Sequence, residues 1–350
     1  MGRLVLTGIG MVTPIGIGRE KIPDAVESGP SGIRKLTKFS SLKNIDCGEI
    51  HNPDLDDFIQ DKRFRRAAPI SQYALAAAAL AMGEAGMQHG GNDTALVMGV
   101  THGVLGYTQE FHKTLINEGA GAISPIHFSD SVLNAPAGNV SICFGIKGPV
   151  HTLVGGPETA IKSVMTACRM LAGGAAERAV VVAAEELNEL SLSYHTRLGY
   201  PFMSEGAGAL VIEKEDSLRD SSPYCFIAGM ASECNPSSPD AALGNSIMRC
   251  LDMAKLRTSD IDLVMADEKV TDNHFIERVP IGSIIPSAGN AFAVSVLWDM
   301  LLSAMAIKEG AIPRTIIRNG AAVPVRLDNA MICTADRKGS AGAIILSKCR

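Results

Sequence analysis

The chain has 350 residues, enough for two ordinary domains or for one larger α/β unit with a substantial core. Apolar residues make up 46% and charged residues 20%, which excludes a disordered chain, and a formal charge of -5 gives no support for binding nucleic acid or an anionic membrane. The eight cysteines form no Cys-x-x-Cys pair, so neither a disulfide framework nor a metal site is indicated, and reduced thiols fit a cytoplasmic protein.

From the start of the chain, "MGRLVLTGIG" has too short an apolar stretch for a signal peptide. The glycines of "GIGMVTPIGIG" resemble a dinucleotide loop only superficially. Thr13 stands where the third glycine belongs and Pro14 where the helix should begin, so no nucleotide cofactor is expected. Short β-rich runs follow: "RLVLTGI" (3–9), "TALVMGV" (94–100), "AVVVAA" (179–184), "GALVIEK" (208–214), "YCFIAGM" (224–230), "DLVMAD" (262–267) and "AGAIILS" (341–347). They alternate with helical patterns, and that rhythm predicts an α/β fold. The helix at 71–87 leading into "TALVMGV" is echoed by the helix at 241–256 leading into "DLVMAD", a hint of duplication. The polar stretch "EDSLRDSSPY" (215–224) is the expected seam, giving halves at 1–220 and 221–350. The most apolar long window, "FAVSVLWDMLLSAMAI", carries Asp299 and falls short of the ~20 residues a bilayer requires, so no membrane span is expected.

Several stretches, in order along nearly the whole chain, resemble the β-ketoacyl-acyl-carrier-protein synthases, which have the thiolase fold. They are "VLTGIGMVTPIGIG", "SQYALAAAALA", "NAPAGNVSICFGIKGPVHT" (134–152), "SEGAGALVIEK" (204–214) and "EGAIPRT" (309–315). The resemblance implies two similar halves stacked as α-β-α-β-α in five layers, and dimerisation through central strands. It also implies catalysis by a Cys that carries the acyl chain and two His that assist decarboxylation.

The residues at those family positions do not fit that chemistry. Five residues after Thr152, where the family has its Cys, stands Pro157, which has neither thiol nor backbone N–H. A thiol there would be activated by the helix dipole, and its N–H would help hold the oxyanion. Pro157 reads instead as the first helical residue, with Glu158 in the first turn. The first family His corresponds to Asp267, with His274 seven residues on, and the second to Asn290, which reads as a helix cap or a residual binding residue. The family Lys corresponds to Ile285 and the family's gating loop to "ADRKGSAG" (335–342). No catalytic residue is therefore expected at the degenerate positions Pro157, Asp267 and Asn290. The tripeptide Thr-Ala-Cys is no substitute: Cys168 shares an apolar stripe with Ile161, Val164 and Leu171 and is expected to be buried and inert.

The resemblance thus points to an inactive chain length factor paired as a heterodimer with an active ketosynthase in type II polyketide, aryl polyene or fatty acid synthesis. The chain lacks the Gln those subunits usually carry at the Cys position. By that likeness Leu105, Tyr107, Thr108 and Phe111 are candidates to bound the channel, with ordinary packing as the alternative. Carrier proteins are acidic, so Lys62, Arg63, Arg65 and Arg66 are candidates for docking the acyl carrier protein and its phosphopantetheine-linked chain. A solvated surface or dimer contact is the alternative reading of that run. The segment 134–152 is expected at the partner interface. Two rival readings remain: a stand-alone acyltransferase or decarboxylase using Thr159, Glu158 or Asp267, and a homodimeric carrier-binding scaffold.

Overall fold

The computed structural model describes residues 2–349 apart from 29–30, 43, 52, 60, 124, 219–221, 267–278, 311, 323 and 325, and only the backbone of 125–127. In the first half, β1 (Leu4–Thr13) turns into the short β2 (Gly16–Ile17), followed by α1 (Ile22–Ser28) and the hairpin of β3 (Ile33–Lys35) and β4 (Asp46–Gly48). Then come α2 (Pro69–Glu84), β5 (Thr94–Val100), α3 (Leu105–Glu118), α4 (Pro125–Asp130) and α5 (Ala135–Phe144). The half closes with β6 (Val150–Val154), α6 (Thr159–Ala172), β7 (Arg178–Glu185), α7 (Glu189–Arg197) and β8 (Gly206–Lys214). The second half holds β9 (Cys225–Cys234), α8 (Pro239–Ala254), β10 (Leu263–Ala266), β11 (Ile281–Gly282), α9 (Ile285–Ala288), α10 (Ala293–Glu309), β12 (Asn329–Ala335) and β13 (Ser340–Ser347).

The strand order β6-β5-β7-β8-β1 in the first half is matched by β11-β10-β12-β13-β9 in the second. The pairing senses match as well. β5 runs parallel to β6 and β7 while β7–β8 and β8–β1 are antiparallel, and β10 repeats this with β11, β12, β13 and β9. The echo in the sequence is therefore a true structural repeat. The two sheets are hydrogen-bonded into one path through Val5↔Phe226 and Leu6↔Cys225.

Three apolar cores separate five layers. α2 packs on β1, β7 and β8; α6 and α10 fill the middle between the sheets; α8 covers β9, β12 and β13. This is the α-β-α-β-α arrangement implied by the resemblance. The Ala-rich α2 lies so close to β1 that a Cβ on Gly8 or Gly10 would strike the carbonyl oxygens of Ala81 or Ala77. Those glycines serve helix–sheet contact rather than a phosphate loop. In the middle layer the single tryptophan, Trp298 on α10, is fully buried and donates Nε1–H to the Ala207 carbonyl on β8 at 2.9 Å, tying the second half to the first. Among the described residues no helix is long and apolar enough to cross a membrane.

Candidate functional site

Strand β6 ends at Val154, and the chain turns through Gly155, Gly156, Pro157 and Glu158 into α6. Thr159 N–H donates to Gly156 O at 3.0 Å and Ala160 N–H to Pro157 O at 3.3 Å, a tight three-residue entry that starts the α-helix at Thr159. This corrects the reading of Pro157 as the first helical residue: it stands in the turn ahead of the helix. Glu158, expected in the first turn, is instead the residue just ahead of the helix and is 3% exposed. Its Oε1 accepts from Lys162 Nζ at 3.1 Å, whereas Oε2 has no hydrogen-bond partner among the described residues. Cys168 lies where its spacing predicted, 1% exposed on the buried stripe, with burial pushing its thiol up to about 12.

Pro157 lines a cavity of about 160 Å³ together with Tyr200, Asn290, Phe292, Asp336 and Arg337. Two of the three degenerate family positions thus meet in one place; Asp267 and His274 lie outside the described residues. Asn290 does not cap α10, which begins at Ala293. Its Oδ1 accepts the Phe292 N–H at 2.9 Å in a turn ahead of the helix, while its own N–H donates to Phe202 O at 2.7 Å. The turn between β12 and β13 does reach the cavity, as expected of a gating-loop counterpart. Arg337 donates to Leu198 O at 2.7 Å and lies 4.4 Å over the Tyr200 ring, so the loop is fastened rather than open-ended. Ile285 is on the same wall.

The carboxyl ends of β5 and β7 bring together a group that the sequence reading passed over. Glu185, at the last position of β7, accepts the Thr101 and His102 backbone N–H groups at 3.0 and 3.2 Å and faces His102 Nδ1 at 3.0 Å. His102 Nε2 is 2.8 Å from His195 Nε2 on α7. Burial, with His102 and Lys338 nearby, pulls the His195 pKa down to about 4. The Phe292 ring packs 5.1 Å from His102 and 4.8 Å from His195. The available signal was position: polar residues directly after two parallel strands are where α/β sheets gather their sites. Next in sequence, Glu186 turns the other way and accepts N–H groups of Ile70 and Gly106 at 3.2 and 3.3 Å; burial raises its pKa to about 7.

The four candidate channel residues sit on α3, which has no buried residue, and among the described residues none lines the Pro157 cavity. Tyr107 instead lines a second cavity of about 360 Å³ beside Glu186 and Lys38, and donates its hydroxyl to Arg66 O at 3.4 Å. Thr108 Oγ1 donates to Val104 O and Ser131 O, Phe111 packs 5.7 Å from Phe128, and Leu105 is half-buried. The candidate docking residues form a single 3₁₀ turn, Lys62–Arg66. Arg63 and Arg65 are paired with Asp61 and Asp56, while Lys62 and Arg66 are exposed.

Residues 1–200 match the family described as "Beta-ketoacyl synthase, N-terminal domain". The chain is similar to a 3-oxoacyl-[acyl-carrier-protein] synthase 2 of Rhizobium meliloti (strain 1021), 26% identical over 388 residues that cover 94% of this chain and 91% of that one. Two solved structures share the fold. "The ishigamide ketosynthase/chain length factor" matches with a TM-score of 0.86 at 18% identity, covering 100% of both chains. A ketosynthase solved as "type II PKS acyl-carrier protein in complex with its ketosynthase bound to the hexaketide" matches with a TM-score of 0.83 at 18% identity, covering 99% of this chain and 100% of that one.

Proposed function

This chain belongs to the β-ketoacyl synthase family, and we propose that within it the protein is a subunit without condensing activity, a chain length factor that pairs with an active ketosynthase and shapes its acyl channel. The observation that carries this reading is Pro157. It occupies the strand-to-helix turn beside the cavity and offers neither a thiolate nor an N–H to an oxyanion. The fold likeness to a ketosynthase/chain length factor fits this reading.

The exposed apolar surface supports a large partner interface. β6 ends the strand path with Val150 and Val154 at 40% and 54% exposure, flanked by Ile142 on α5 at 61%. A sheet edge with exposed valines and no proline, lysine or acidic residue invites pairing with another strand. Leu115 and Ile116 in the exposed last turn of α3, and Phe128, extend that face, and the half-buried Leu105, Tyr107, Thr108 and Phe111 of the same helix would meet the channel at the shared interface. Lys62 and Arg66 supply the exposed cations for an acyl carrier protein. We place the pair in type II polyketide, aryl polyene or fatty acid synthesis, in the cytoplasm.

The competing reading, a stand-alone enzyme, has one observation in its favour: the buried, unpartnered Glu158 Oε2. Purified chain is incubated with acyl- and malonyl-carrier proteins, alone and with a co-expressed ketosynthase. The proposed subunit forms no carbon–carbon bond and releases no carbon dioxide alone, copurifies with its partner, and changes product length when Phe111 is replaced by Ala. Condensation or decarboxylation by the chain alone overturns it.

A further inference from the structure

We propose that Glu185, His102 and His195 form an acid–base relay whose working atom is His195 Nδ1, and that it exchanges the α-proton of a β-ketoacyl thioester held in the Pro157 cavity. The inference rests on the reading above that this cavity receives a carrier-borne acyl chain.

Hydrogen bonding fixes the direction of the relay. Glu185 already accepts two backbone N–H groups, and the relay takes the His102 tautomer that presents its Nδ1–H to it as a third donor. Neutral His102 then has a lone pair on Nε2 and accepts the His195 Nε2–H at 2.8 Å. The lone pair of His195 is left on Nδ1, a buried atom without a hydrogen-bond partner among the described residues, in a side chain 9% exposed. A bare buried acceptor costs stability, and such groups concentrate at sites of function.

Only one layer of side chains separates this nitrogen's ring from the cavity. His195 packs 4.8 Å from Phe292 and 5.1 Å from Tyr200, and both line the cavity with Pro157 and Asn290. Phe292 has φ 53° and ψ -118°, a region that residues with a Cβ rarely occupy, so backbone strain is stored in the residue that stands between base and cavity. In the proposed relay, displacement of the Phe292 ring opens His195 to the cavity.

The α-carbon of a β-ketoacyl thioester lies between two carbonyls and is acidic. His195 Nδ1 takes its proton, the C–H electron pair moves onto the enolate oxygen, and the imidazolium charge is shared through His102 toward Glu185. Asn290 has its Oδ1 committed to Phe292 N–H, which leaves its amide N–H₂ on the cavity wall for the enolate oxygen. Return of a solvent-exchanged proton from His195 regenerates the ketone. No nucleophile, oxidant or second substrate is consumed, so the step is compatible with a chain that cannot condense. A base of low pKa is unprotonated at neutral pH, and one of similar strength carries out α-proton transfer where the enolate is stabilised.

The test follows loss of the α-hydrogens of acetoacetyl-pantetheine in deuterium oxide by proton NMR, with the full chain alone. Wild type should exchange them faster than an equal concentration of imidazole, and His195→Asn should slow exchange by about 100-fold. His102 and Glu185 act through His195 as positioning residues, so His102→Gln should shift the pH at which exchange falls off, an effect that lost packing does not produce. Burial, His102 and Lys338 set this fall-off; Tyr194 and Tyr200 pack their rings against His195, and Glu185 stands behind His102. Phe292→Ala should accelerate exchange, and it decides the matter if His195→Asn does not fold. Exchange no faster than imidazole, or indifferent to the substitutions, overturns the relay. That failure leaves the subunit reading standing, because condensation and product length are measured separately with the partner.

Discussion

The turn after β6 and the ends of β5 and β7 lie around one region of the fold and have gone opposite ways. At the turn, Pro157 makes its place with backbone geometry alone, while Ile161, Val164, Cys168 and Leu171 behind it keep α6 seated in the middle layer. Pro157 is not part of that core, so the side chain at 157 can vary without disturbing the fold. At the strand ends the opposite holds: Glu185 and Glu186 are each nearly buried, Glu185 holding two backbone N–H groups of the loop between β5 and α3 and Glu186 one N–H in the first turn of α2 and one in that of α3. A buried carboxylate with such partners cannot be exchanged cheaply. Scaffold and chemistry are separable at the turn and fused at the strand ends.

The largest effect expected from this contrast belongs to the scaffold. Trp298→Ala removes a fully buried side chain between the two halves and leaves the Ala207 carbonyl without its donor, which should cost about 3–5 kcal/mol in urea unfolding. Pro157→Ala should cost less than about 1 kcal/mol, since only the entropy of the unfolded chain and a half-buried ring change. If Pro157→Ala proved as costly as Trp298→Ala, the turn would be part of the core and the separation would fail.

The strand ends should reveal themselves through pH, with two effects of opposite sign. His195 has its pKa lowered from 6.5 to about 4, so between those values the unfolded chain binds more protons, and acidification through this window destabilises the fold. Glu186 is raised from 4.5 to about 7, so there the folded chain binds more protons, and the same acidification stabilises it. Each contribution is at most about 3 kcal/mol, and together they nearly cancel. His195→Gln should therefore become more stable as pH falls from 7 to 4.5, while Glu186→Gln should lose stability more steeply than wild type. Urea midpoints at a series of pH values check this; parallel profiles for all three proteins would show that neither group is perturbed.

Much of the fold was legible because it is carried by local pattern. The strand runs at 94–100, 179–184 and 208–214 fall within β5, β7 and β8, and the repeated helix–strand echo became a full repeat of sheet order. The cavity was partly legible, because Pro157 and Asn290 could be placed by counting from family motifs. Of the two readings of Asn290, the helix cap fails because the residue stands three positions before a helix start that the pattern could not locate to that accuracy, with Phe292 N–H as its partner. Glu185 and His102 carried only the signal of their place at strand ends, and their grouping with His195 was not legible. They come from three separate elements, with 83 and 93 residues between the bonded pairs, and no short motif encodes contacts of that range.

A substitution of small expected effect sharpens the contrast at the helix behind the turn. Cys168→Ala exchanges a thiol for hydrogen on a stripe already filled by Ile161 and Val164, and should cost about 1 kcal/mol with product and partner binding unchanged. Its thiol, pushed up to about 12, is about one part in 10⁴ thiolate at pH 8. Iodoacetamide should therefore label the exposed Cys234 in the native chain and reach Cys168 only on unfolding. Native labelling of Cys168, or its recovery as an acyl thioester after incubation with acyl carrier protein, would mean that the helix and not the turn carries a nucleophile.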